Sequence, residues 1–387
     1  MTQGFLPYGR QTIEDDDIAA VAAALRGDYL TTGPTVEAFE TAFREVVGAR
    51  HAVACGNGTA ALHMTMLAAG IGPGDVCIVP SITFLATANC AAYVGADVVF
   101  ADVDPGSGLM TPDTLAEALG RARGRRVRAV LPVHLRGDVC DLPALAALAG
   151  EAGAALIEDA PHALGSTLKV GNHVERVGDC AHSLMSTFSF HPVKTIATGE
   201  GGMVTTNDAG LAERLRLARG HGMTRTPGAD PWLYEMAEPG FNYRLPDILC
   251  ALGLSQLAKL PRFIARRRAL AAAYDAALAP LAPLVRPAAR PEGSDPVLHL
   301  MTVLIDFAAA GKTRRQVVEG LAAKGIGSQV HYIPVHSQPY WAAKNGALDL
   351  PGAQAWYDRC LSLPLYPAME DGDVDRVVEA LAEVLSL

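Results

Sequence analysis

The sequence predicts an α/β protein: a buried, mostly parallel β-sheet flanked by helices, followed by a smaller α/β unit. Three observations carry this reading. Short apolar runs alternate with Ala/Leu-rich helical runs from about residue 52 to 210. The texture changes beyond about residue 245. A chain of 387 residues is also long for one core, so two domains are expected.

In chain order, HAVAC reads as a strand and TAALHMTMLAAG as the helix after it. VCIVP, helical FLATANCAAYVG and VVFADVD follow, then helical PDTLAEALGRAR and the strand VRAVLPVH. LPALAALAGEAG is helical and ALIEDA is again a strand. Strands alternating with helices of this length indicate parallel βαβ units with both sheet faces covered. SLMSTFSF and GGMVTTND have little helix between them, which predicts an antiparallel addition to the sheet. ILCALGLSQLAKLPRFIARRRALAAAYDAAL is helix-periodic and long enough to bridge two domains. The remainder mixes the strand HLMTVLIDF with the helices TRRQVVEGLAAKG and DVDRVVEALAEVLSL.

Composition narrows the function. A net charge of −9 argues against a surface that coats nucleic acid. No apolar run approaches membrane-spanning length, and the N-terminus lacks a basic region followed by an apolar one. No membrane partner and no leader are expected. The seven cysteines are scattered with no CxxC pair, so neither a disulfide framework nor a structural metal is expected. A cytoplasmic protein with reduced thiols fits best. Only six of the 32 basic residues are lysines. A lysine near a strand end therefore stands out, because its amine can deprotonate and form a Schiff base.

Ligands of doubly wound sheets sit at the carboxyl ends of the strands, and several polar residues fall there. CGNGTAALHM places Gly58 and Thr59 between a strand and a helix, where free N–H groups suit a phosphate; a plain β–α turn would read the same way. ALIEDAPHALGS ends a strand at Asp159, which can pair with a cationic ligand nitrogen, cap a helix or stand as a surface acid. His162 follows three residues later and can bond the same ligand, although a lone histidine is more often structural. Phe84, in PSITFLATAN, can stack on a planar ligand or pack in the core. Lys194 lies 35 residues after Asp159, ahead of a glycine cluster, as an iminium lysine or a loop lysine. A phosphate cradle, a carboxylate, an aromatic and a lysine together meet the requirements of pyridoxal 5′-phosphate.

The chain resembles the DegT/StrS-type sugar aminotransferases almost end to end. LTTGPTVEAFE, GNGTAALHM, PSITFLATANC, PVHLRG and IEDAPHALGS carry the resemblance, with FSFHPVKTIATGEGG, GFNYRLPDILCALGLSQL and LSLPLYP. It implies a fold-type I enzyme with a mostly parallel seven-stranded sheet. The large cofactor-binding domain would span residues 1–255 and a smaller α/β domain 256–387. Lys194 then looks like the Schiff-base lysine and Asp159 the partner of the pyridinium nitrogen. His162 would contact the ring oxygen, Phe84 would stack on the ring, and Gly58, Thr59 and Ser189 would hold the phosphate. Asn242 would reach the phosphate of a neighbouring subunit, which implies a homodimer. Three positions depart from the family pattern: Pro161 for alanine, Arg136 for tyrosine or a small residue, and Tyr29 for tryptophan.

LPYGRQTIEDDDI, HGMTRTP…PWLYE and VHYIPVHSQPYW look like the aminotransferase of the pseudaminic-acid pathway. That similarity implies amination of C4 of a UDP-linked 4-keto-6-deoxy-N-acetyl sugar, with L-glutamate as donor. Tyr8, His331, Tyr332 and His336 are the expected substrate contacts. Arg10, Arg225 and Arg244 are candidates for a diphosphate. A dTDP- or GDP-linked sugar is the alternative substrate. Dehydratase relatives carry histidine in place of the lysine, and Lys194 counts against that activity.

Overall fold

The computed structural model describes residues 4–228 and 230–387. Helices α1 (Asp15–Arg26) and α2 (Pro34–Val47) precede a seven-stranded sheet. Its strands are β1 (His51–Cys55), β2 (Asp75–Pro80), β3 (Asp97–Ala101), β4 (Arg126–Val130), β5 (Ala155–Asp159), β8 (Met185–Ser189) and β9 (Gly202–Thr206). The spatial order is β1-β9-β8-β5-β4-β2-β3. β2–β3, β2–β4, β4–β5 and β5–β8 pair in parallel, and β9 runs against both β1 and β8. The antiparallel addition read from SLMSTFSF and GGMVTTND is therefore β9 alone, since β8 joins the parallel set. Two further short strands, β6 (Thr167–Val170) and β7 (His173–Arg176), form a hairpin that also pairs with β13 (Ser294–Asp295).

Helices α3 (Gly58–Ala68), α4 (Leu85–Tyr93), α5 (Pro112–Arg121), α6 (Leu142–Glu151) and α7 (Ala209–Arg219) connect the strands. All six residues of β2 are buried, as a central strand covered on both faces must be. α3 is apolar on every side and buries His63 and Thr65 along with its alanines and methionines. Its first turn thereby stays at one fixed place beside the carboxyl ends of β1 and β8. Local chemistry starts these helices: Thr111 closes a capping box ahead of Pro112 in α5, and Asn57 caps α3 by accepting from the Ala60 N–H at 2.8 Å.

After a short hairpin, β10 (Met223–Thr224) and β11 (Glu235–Met236), the chain enters α8 (Asp247–Ala258) and α9 (Leu260–Leu278). α9 passes from one core to the other. Leu260 and Phe263 belong to the core around the large sheet, and Leu270, Tyr274 and Leu278 to a second core. That second core is built on the antiparallel sheet β12 (Val285–Pro287), β14 (Met301–Ile305) and β15 (Cys360–Leu363). α10 (Arg314–Ala323) and α13 (Asp373–Leu385) cover it, and Leu6 of the N-terminal segment joins it. α11 (Pro339–Asn345) and α12 (Pro351–Arg359) sit against the large domain through Trp341 and Trp356. Among the described residues no single helix is long and apolar enough to cross a membrane; α8 and α9 meet both conditions only together, as a pair bent by 57°.

Candidate active site

A cavity of about 920 Å³ opens at the carboxyl edge of the large sheet, against the segment 329–338. One end is built for an anion. Gly58 and Thr59 open α3, and neither amide nitrogen donates to another described residue. The Thr59 side chain and the Ser189 hydroxyl, at the end of β8, line the same corner. Glycine is required at 58 because a Cβ there would lie 2.8 Å from Ser189 Cβ. Gly202 is equally constrained: a Cβ would meet the Asn57 carbonyl oxygen at 2.5 Å. Close packing of β8, β9 and this turn leaves the helix N-terminus facing the cavity, where unpaired N–H groups and the helix dipole favour a phosphate.

Asp159 ends β5 and lies 5% exposed. Its Oδ2 accepts from the Thr87 hydroxyl at 2.5 Å, which fixes the carboxylate. Burial raises its pKa, while the Thr87 hydrogen bond and the Lys194 charge act in the opposite sense. A cationic N–H placed beside it in the cavity would supply the missing counter-charge. Thr87 has no sequence signal of its own, since the contact joins residues 72 apart.

Lys194 lies beyond β8 in a turn closed by its own N–H bonding the His191 carbonyl at 2.8 Å. Its side chain lines the cavity, and desolvation lowers its pKa from 10.5 to about 8, with the Asp159 charge opposing. A partly neutral, cavity-facing amine is a nucleophile at neutral pH.

Phe84 stands at the N-cap of α4 and is 57% exposed, with its ring lining the mouth of the cavity. His162 is buried, and its Nδ1 accepts from the Arg136 N–H at 3.2 Å. Burial drives its pKa well below the usual value, with Lys194 and His331 adding to the shift. Its Nε2 lies 3.4 Å from the Tyr332 hydroxyl.

The opposite wall carries Tyr8, His331 and Tyr332. The Tyr8 and His331 rings are 5.5 Å apart. His331 Nδ1 bonds Ser362 Oγ at 2.9 Å, and burial lowers its pKa to about 3. Burial raises the pKa of both Tyr8 and Tyr332. All three side chains therefore enter the cavity neutral.

Other expected residues lie elsewhere. His336 does not line the cavity: its Nδ1 is 2.5 Å from Ser81 Oγ, and its ring faces Phe100. The single turn Val335–Ser337 directs it away, although His331 five residues earlier points in. Asn242 is exposed and outside the cavity of its own chain, paired through a lone bridge with Gly220. Arg10, Arg225 and Arg244 do not line the cavity either, and Arg225 donates to the Pro231 carbonyl within its own hairpin.

An anion cradle, a carboxylate short of a cation and a low-pKa lysine in one cavity fit pyridoxal phosphate, with its phosphate, basic ring nitrogen and aldehyde. The fold and this site define a fold-type I, pyridoxal-phosphate-dependent aminotransferase. The DegT/DnrJ/EryC1/StrS aminotransferase family matches residues 11–382, and the chain belongs to that family. It is 39% identical over 389 residues to the spore coat polysaccharide biosynthesis protein SpsC of Bacillus subtilis, covering 98% of this chain and 97% of that one. Helicobacter pylori PseC, an aminotransferase of pseudaminic acid biosynthesis, superposes with a TM-score of 0.89 at 29% identity, covering 99% of both chains. A putative sugar aminotransferase of Streptococcus pneumoniae, Spr1654, superposes in its PLP form with a TM-score of 0.88 at 28% identity, covering 99% of both chains. The chain is thus a sugar aminotransferase that acts on nucleotide-linked sugars.

Proposed function

We propose that the enzyme moves the amino group of L-glutamate to C4 of a UDP-linked 4-keto-6-deoxy-N-acetylhexosamine, in two half-reactions that share one site. The observation that carries the reading is the convergence of Lys194, Asp159 and the unpaired Gly58 and Thr59 amides on one cavity. Pyridoxal phosphate, when bound, supplies the electron sink that lets a proton leave the carbon bearing the nitrogen.

The chain's own residues do the rest. The Gly58 and Thr59 N–H groups and the Thr59 and Ser189 hydroxyls hold the phosphate. Asp159, fixed by Thr87, keeps a proton on the ring nitrogen, since a close carboxylate favours the charged form. Phe84 covers a ring face, and the His162 Nε2–H donates to the ring oxygen. With the cofactor bound, Lys194 Nζ would take the proton from Cα of glutamate as a general base and deliver it to the cofactor carbon that keeps the nitrogen, and it would run the same transfer in reverse at the sugar. Because glutamate leaves as 2-oxoglutarate before the ketosugar is aminated, the kinetics are ping-pong.

Tyr8, His331 and Tyr332 are the proposed sugar contacts. They offer hydrogen bonds without charge, which suits an N-acetyl sugar. His336, held by Ser81, supports that wall from behind. The choice of sugar rests on VHYIPVHSQPYW and on the similarity to PseC, which acts in pseudaminic acid biosynthesis. The reading also makes the enzyme a homodimer, with Asn242 of each subunit reaching its neighbour's phosphate cradle. The exposure of Asn242 and of Trp232, Leu233 and Tyr234 on the adjacent hairpin supports it. We place the enzyme in the cytoplasm, where its seven free, buried cysteines stay reduced.

The test is kcat/KM for the UDP-linked 4-keto sugar against dTDP- and GDP-linked ones, with NMR of the product to locate the new amine. A preference of at least about tenfold for the UDP sugar, with the amine at C4, is expected. Equal or better use of another nucleotide, or amination at C3, refutes the substrate assignment.

A further inference from the structure

Arg136 combines three features that no role above uses. Its side chain is 2% exposed, ion-paired with Asp138, and donates through Nη2 to the Ala289 carbonyl at 2.8 Å. Its guanidinium lies 5.8 Å from the centre of the Trp356 ring. Its backbone is left-handed, with φ 66° and ψ −9°, a region that residues other than glycine seldom occupy. In that conformation its two flanking peptide groups tie together a pair of histidines. The Arg136 N–H donates to His162 Nδ1 at 3.2 Å, and the Arg136 carbonyl accepts from the His299 N–H at 2.7 Å. The His162 and His299 rings sit 4.5 Å apart.

A ring nitrogen that accepts an N–H carries no proton. A neutral His162 must then hold its single proton on Nε2, the nitrogen on the Tyr332 side. The Arg136 N–H therefore decides which nitrogen can donate toward the cavity. The side chain holds that peptide in place from the far side, through Ala289 and Asp138. The turn also rests directly on the segment before β14, because a Cβ on Gly137 would meet the Val297 carbonyl oxygen at 2.3 Å.

We propose that Arg136 is a positioning residue: its buried guanidinium locks the left-handed turn, and the turn fixes His162 as an Nε2–H donor to the cofactor's ring oxygen. The inference rests on the placement of that oxygen beside His162 in the proposed function.

The test is 15N NMR of histidine-labelled enzyme, with His162 assigned from a His162→Gln variant, together with pyridoxal phosphate binding to the stripped enzyme followed by fluorescence. Wild type should show an unprotonated Nδ1 and a protonated Nε2 on His162. The opposite tautomer overturns the inference without recourse to any Arg136 variant. In Arg136→Ala the turn relaxes, the tautomers mix, and the cofactor dissociation constant rises about tenfold, the scale of one hydrogen bond. Arg136→Gly accepts a positive φ freely, so it should recover most of both readouts. Equal losses in the two variants, or an unchanged tautomer in Arg136→Ala, overturn the proposal. His162→Gln locates a failure. If it binds cofactor as tightly as wild type, the placement of the ring oxygen is wrong. If it binds weakly while Arg136→Ala mixes the tautomers and binds normally, the Arg136 link is wrong.

Discussion

Lys194 should be the most reactive lysine of the cofactor-free enzyme at neutral pH. Burial lowers its pKa from 10.5 to about 8 against the pull of Asp159. At pH 7 an amine of pKa 8 is neutral in roughly one molecule in ten, and one of pKa 10.5 in roughly three in ten thousand. The unprotonated fraction therefore rises roughly 300-fold, and nucleophilic reactivity follows it within the limits of access. The assay is trace acylation of the stripped enzyme across about pH 6 to 11, with each of the six lysines read by peptide mass. Exposed Lys169 serves as the internal reference. The Lys194 rate should reach half its plateau near pH 8. A midpoint at the ordinary lysine value, or a pH 7 rate equal to that of Lys169, would refute the desolvated-amine argument.

Four further outcomes follow from the same geometry. Asp159→Asn removes the charge that raises the Lys194 pKa, so the acylation midpoint should fall below about 8 while kcat drops at least about 100-fold; steady-state kinetics and the same labelling check both. Lys194→Ala should abolish turnover and still retain cofactor non-covalently, as released phosphate ester after denaturation would reveal. Gly58→Ala drives a methyl into Ser189, so denaturant melts should show a loss of about 1–3 kcal/mol together with weaker cofactor binding. Arg267→Ala strands the carbonyls of Leu298, His299 and Leu365, which Nη1 now holds at 3.2, 3.3 and 3.0 Å, and should cost about 3 kcal/mol or more in the same melts.

Much of the cofactor end of the site was legible because each part follows from local backbone chemistry. A glycine-rich turn between strand and helix exposes N–H groups wherever it occurs, and an acid ending a buried strand must face the ligand edge. Contacts between distant segments were not legible. Nothing around Thr87 announces that its hydroxyl anchors Asp159, and nothing in PVHLRG announces that Arg136 turns inward. His331 and His336 look alike in VHYIPVHSQPYW, and only the single turn Val335–Ser337, which carries His336, separates a cavity residue from one that bonds Ser81. The β6–β7 hairpin also escaped the sequence reading. It is short, half-exposed and joined at Gly171, so its alternation is too brief to register against the flanking loops.

The most direct test of the account is the absorbance of the purified enzyme loaded with pyridoxal phosphate, recorded before and after L-glutamate and again after a UDP-linked 4-keto-6-deoxy-N-acetyl sugar. Glutamate should remove the visible band of the lysine-bound cofactor, and the sugar should restore it with one equivalent of amino sugar formed. A band that glutamate leaves unchanged would contradict amino transfer from glutamate through Lys194, and a band that the sugar fails to restore would contradict the acceptor.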